Sequence, residues 1–89
     1  MSEDEEAALV EQIEADLKNL FGSPILTLDQ LAVALNYKSV SALRQAITRN
    51  NFHVPLFTMP NRRGRFAMVK EVAKFLARQV IGGKSDEVK

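Results

Sequence analysis

The sequence predicts a mainly helical protein carrying one small β-hairpin, and three observations predict it. Apolar residues recur at helical spacing in four separate stretches. Strand-forming residues gather in only two short runs, FHVPLFTM at 52–59 and RFAM at 65–68. Between them stands PNRRG, a turn composition. With 89 residues, the chain has room for one small hydrophobic core.

The first helix runs from about Asp4 to Phe21. Leu9, Ile13, Leu17 and Leu20 make an apolar stripe that Val10 and Phe21 widen. Acidic residues crowd its first turns, where they complement the positive end of the helix dipole. Gly22-Ser23-Pro24 stops it, because glycine suits the position after a helix and proline cannot extend one. A stripe of this kind must be buried, either against the rest of the chain or against a second copy in a homodimer.

The second helix begins at TLDQ, where Thr27 and Gln30 have the spacing of a capping box. Leu28, Leu31, Ala32 and Leu35 form its inner face, and Asn36 ends it by accepting the left-handed conformation. A third helix follows, capped by Ser39 or Ser41, with Val40, Leu43, Ala46 and Ile47 inward. Two helices joined by the short NYKS link make a helix-turn-helix. After the hairpin, in which Pro55 suits a strand edge, a fourth helix spans about Val69 to Ile81. It sets Val72, Ala73, Phe75, Leu76 and Val80 on one side and Lys70, Lys74 and Arg78 on the other. Tyr37 and Phe66 read as core or edge packing.

The chain divides by charge into an acidic N-terminal helical segment at 1–23, a basic body at 24–81 and a loose tail at 82–89. Residues 1–23 hold seven acids and one base, a net charge of −6; residues 24–81 hold nine bases and two acids, a net charge of +7. Such asymmetry points to a polyanionic partner for the body.

Several function classes fall away. The chain has no cysteine, which excludes disulfides and thiolate metal sites and suits a reducing cytoplasm. No apolar run reaches the roughly 18–20 residues of a membrane span, and the acidic N-terminus is unlike a signal peptide. His53 is the only histidine and reads as a hydrogen-bonded structural side chain. Gly64 stands alone and opens no phosphate-cradling motif. The expectation is a cytoplasmic non-enzyme with no metal, no cofactor and no small-molecule substrate.

Double-stranded DNA is the polyanion that these elements fit. Its major groove admits one helix, and side chains such as Arg and Gln read base edges there. The third helix presents Ser41, Arg44, Gln45, Thr48 and Arg49 away from its core stripe. Phosphates are held by cations that fix register, a task suited to Arg62, Arg63 and Arg65 at the hairpin tip. Of these, Arg62 and Arg63 are the expected phosphate contacts; Arg65, beside Phe66, is expected to contact DNA too, with bracing of the hairpin as its alternative role.

The order of these pieces resembles the MerR-like, excisionase-like group of small winged helix-turn-helix proteins, which includes phage excisionases, prophage regulators and pyocin activator proteins. The resemblance covers Leu26 to Arg78. It rests on LTLDQLAVALNYKSVSALRQAI for the helix pair, RRGRF for the wing and MVKEVAKFLARQ for the closing helix. Asn36 stands where that group usually has glycine. The resemblance implies a recognition helix reading the major groove through Lys38, Ser39, Ser41, Arg44, Gln45 and Thr48. It implies a wing touching backbone or minor groove through Arg62, Arg63 and Arg65. The implied role is transcriptional regulation or recombination in a bacterial or mobile-element system. The acidic first helix lies outside the resemblance. It carries the competing function, a protein-interaction adaptor that docks partners on its leucine stripe.

Overall fold

The computed structural model describes residues 3–82. The expected loose tail from 83 onward lies outside them. The architecture is mainly helical with a small antiparallel sheet: α1 (Glu3–Phe21), β1 (Ile25–Thr27), α2 (Leu28–Ala34), α3 (Val40–Thr48), β2 (Phe66–Met68) and α4 (Val69–Gly82).

Local signals set the helix boundaries. At the end of α1, Gly22 takes φ 73 and its N–H donates to the Lys18 carbonyl at 2.7 Å. Thr27 caps α2 with the full reciprocal box: the Gln30 N–H donates to Thr27 Oγ1 at 3.2 Å, and the Thr27 N–H donates to Gln30 Oε1 at 3.0 Å. Ser39, of the two serines expected, caps α3 by accepting the Ala42 N–H at 3.1 Å.

Both central helices end in the same way on asparagine. Asn36 and Asn50 sit at φ 64 and 63. The Tyr37 N–H reaches back to the Ala32 carbonyl and the Asn36 N–H to that of Val33, at 2.8 and 3.1 Å. Asn51 and Asn50 repeat the pattern on Ala46 and Ile47, at 2.9 and 3.0 Å. These are two Schellman motifs in which asparagine takes the usual place of glycine. The first lets the short link between α2 and α3 turn sharply, and the second ends α3.

The hairpin expected between 52–59 and 65–68 is much reduced. β2 forms its ladder with β1, pairing Ile25 with Met68, Leu26 with Ala67 and Thr27 with Phe66. Its other edge meets the 52–59 run at one bridge only, where Phe57 and Phe66 exchange hydrogen bonds of 2.9 and 2.8 Å. Two causes are visible. Pro55 and Pro60 remove backbone donors, and the alternation of exposed and covered residues fails at Leu56-Phe57, where two neighbours both turn inward. The chain then turns at Met59–Arg62, with Pro60 second, Asn61 third at φ 63, and the Arg62 N–H donating to the Met59 carbonyl at 3.3 Å. A left-handed third residue after proline is the requirement of a type II turn.

The core gathers Leu17 of α1, Leu26 of β1, Leu31 and Ala32 of α2, Leu43 of α3, Val54, and Ala67, Val69 and Val72 from β2 and α4. Partly covered Ile13, Phe21, Tyr37, Ile47, Phe75 and Leu76 surround it. The apolar stripe of α1 therefore packs against α4 of its own chain. The helices run antiparallel: Glu6 pairs with Arg78 at one end, and the Val69 N–H donates to the Pro24 carbonyl at the other. Two residues expected on the inner faces are instead outside, Leu20 at 69% exposure and Val80 at 60%. Each lies in the last turn of its helix.

Candidate functional site

An α-helix advances about 100° per residue, so the exposed face of α3 can be laid out from its sequence. With Val40, Leu43, Ala46 and Ile47 turned towards the body, Gln45 and Ser41 stand near the centre of the outward face. Thr48 is beside them, Arg44 marks one edge and Arg49 the other. All five are exposed, as is Lys38 in the preceding turn. Ser39 is exposed too, but its hydroxyl is committed to the cap of α3.

Arg44, at its edge, meets the loop that follows the type II turn. It lines a cleft of about 350 Å³ together with Arg63, Gly64 and Arg65, closed on the other side by Thr27, Leu28 and Asp29. Three arginines from two distant parts of the chain thus line one concavity. Among the described residues, no carboxylate lies within salt-bridge distance of any of the three. Asp29, in the first turn of α2, is the one acid among the described residues lining the cleft. Gly64 holds φ 85, a left-handed conformation that side chains resist, and open space surrounds it. Its part is to bend the backbone so that the flanking arginines reach the same cleft.

The arginines divide their work differently from expectation. Arg62, expected as a phosphate contact, lies over the ring of Phe66 with its guanidinium carbon 4.9 Å from the centroid. Phe66 in turn contacts Phe57, ring centroids 6.0 Å apart and planes tilted by 40°. Arg62 therefore braces the loop against the strand, and Arg65, for which bracing was the alternative role, lines the cleft with Arg63. The reason is the turn: it delivers Arg62 back over the strand while Gly64 throws its neighbours outward.

Tyr37 and Phe66 pack as expected, the first against the core and the second at 4% exposure. His53 does not fit its expected place as a hydrogen-bonded side chain. It is exposed on the rim of a shallow cleft with Pro55 and α4 residues, and makes no hydrogen bond among the described residues. The basic side of α4 is not free either: Lys74 pairs with Glu71 at 3.7 Å and Arg78 with Glu6 at 3.6 Å.

Sequence reasoning missed Asp29 as a site residue. Its position in the first turn of α2 signalled a helix start and nothing more. Set against protein-family models, curated proteins and solved structures, the chain matches none of them.

Proposed function

We propose that this chain is a sequence-specific double-stranded DNA-binding protein of the winged helix-turn-helix kind, resembling the MerR-like and excisionase-like group. In that role it serves as a transcriptional regulator or recombination factor. The observation that carries the proposal is the convergence of Arg44 of α3 with Arg63 and Arg65 of the loop in one open cleft beside the exposed Gln45-centred face. Cations in a concavity bind phosphate, and a polar helix face next to them is then presented to base edges. Arg44, Arg63 and Arg65 anchor the backbone; Ser41, Gln45 and Thr48 face the major groove, with Lys38 and Arg49 at the margins.

The adaptor alternative needs the leucine stripe of α1 as its docking surface. Ile13, Leu17 and Phe21 of that stripe are packed into the chain's own core, which favours the duplex-binding reading.

Selection of binding sites from random duplexes tests the proposal. An enriched sequence is expected, with log K falling against log salt by about 0.9 for each phosphate neutralised. A chain that retains no duplex even at low salt is not a DNA-binding protein.

A further inference from the structure

α1 carries Glu6, Val10 and Glu14 at i, i+4 and i+8, with Glu11 beside them; α4 carries Lys70, Lys74 and Arg78 at the same spacing. The two columns face each other across a groove of about 390 Å³, acidic on the α1 wall and basic on the α4 wall. Because the helices are antiparallel, Glu6 meets Arg78, with an ion pair of 3.6 Å, and Glu14 stands towards Lys70. Glu6–Arg78 is the one ion pair across the groove among the described residues, because Glu14 pairs with Lys18 of α1 at 3.3 Å and Lys74 with Glu71 of α4 at 3.7 Å; the columns still set three acids opposite three bases along about 12 Å of helix. None of these six residues lines the arginine cleft.

The pairing is loose. Arg78 and Glu6 are 71% and 40% exposed, and exposed pairs of this kind hold one another weakly. A weak clasp does little for stability but much for the local field: three acids offset three cations, and the face loses its net attraction for phosphate.

We propose that α1 is a built-in polyanion. Glu6, Glu11 and Glu14 occupy the basic face of α4 in place of nucleic-acid phosphates, so this face is a second duplex-binding surface kept out of use in cis. The consequence that duplex binding is confined to the arginine cleft rests on the function proposed above; the masked surface itself does not.

The test compares the full chain with Glu6→Gln/Glu11→Gln/Glu14→Gln, using fluorescence anisotropy on a fixed 20-base-pair duplex of arbitrary sequence, with circular dichroism to verify folding. Unmasking three cations is expected to tighten non-specific binding about tenfold or more at low salt and to steepen the salt slope by about 2 to 3. The gain should persist when Arg44, Arg63 and Arg65 are replaced by alanine, because it belongs to α4. Unchanged affinity and slope in a folded glutamine variant would overturn the proposal, as would a gain that disappears with the cleft arginines. A second variant leaves α1 intact. Lys70→Gln/Lys74→Gln/Arg78→Gln in the parent should bind duplex within about twofold of the parent, and a loss of about tenfold overturns the proposal by showing the face already in use. If the cleft arginines prove irrelevant to duplex binding while the glutamine variant still gains, the proposed function fails and the masked face stands.

Discussion

The guanidinium of Arg62 rests over the ring of Phe66, 4.9 Å from its centroid, and Phe66 is itself buried between β1 and the bridge to Phe57. An arginine at the tip of a basic loop is thereby spent on holding the loop to the sheet. At an exposed site such a contact contributes about 0.5–1 kcal/mol. Arg62→Ala should therefore lower the melting temperature by about 2–8 °C in a chain of this size. Arg62→Lys should fall between the two, since the ammonium lacks a planar face to stack. Thermal denaturation by circular dichroism measures both, and a melting temperature unchanged by alanine would remove Arg62 from the role of brace.

Arg44 and Gln45 are neighbours in sequence with different surroundings. Arg44 lines the cleft with Arg63 and Arg65, whereas Gln45 stands near the centre of the open face. Under the proposed function, Arg44→Ala and Arg63→Ala should each weaken binding to every duplex alike and reduce the salt slope by about 1. Gln45→Ala should leave the slope nearly unchanged and relax preference at one position, a discrimination of about 1–3 kcal/mol for a good bidentate contact. Competition titrations against the selected site and against single-base variants of it separate the two patterns. A relaxed preference in Arg44→Ala with no change in slope would reverse the assignment.

Asp29 is the acid among three arginines in that cleft. Under the proposed function its charge opposes an incoming phosphate, so Asp29→Asn should tighten duplex binding without changing sequence preference. The same carboxylate sits in the first turn of α2, where interaction with the helix dipole is worth about 0.3–1 kcal/mol. The variant should thus bind more tightly and unfold slightly more easily. Anisotropy titrations paired with urea unfolding check the opposed signs; weaker binding would show that Asp29 orders the arginines rather than competing with phosphate.

The helices were legible because their signals are local. Thr27 with Gln30, Ser39 before its helix and Asn36 after one each act within a few residues, and the structure carries all three. Of the sheet, β2 was legible in the RFAM run, but its partner was not, for the opposite reason. Three residues, Ile25–Thr27, are too few to display a period, and the run at 52–59 had strand composition but two prolines in or beside it. Tertiary contact decided the rest. A leucine stripe on α1 says that something covers it and not that α4 does. The spacing from Arg44 to Arg63 and Arg65 carries no hint that one cleft holds all three. Composition also marked Arg65 as the arginine that could brace the tip, while the structure gives that place to Arg62 and leaves Arg63 and Arg65 lining the cleft.

Asn36 and Asn50 test how much of the fold depends on two left-handed residues. Both hold φ near 60° within Schellman motifs, and the first sets the turn that positions α3. For an ordinary L-residue the left-handed conformation costs roughly 1–2 kcal/mol, a cost that asparagine partly and glycine wholly escapes. Asn36→Ala should therefore destabilise the chain by about 1 kcal/mol, and Asn36→Gly should be close to neutral because relief of strain offsets the greater freedom glycine has when unfolded. The same pair of substitutions at Asn50 should behave alike, since its hydrogen-bond pattern is the same. Urea denaturation of the four variants gives the comparison directly. Equal losses for alanine and glycine at either position would mean that the asparagine side chain, and not its backbone conformation, supplies the stability there.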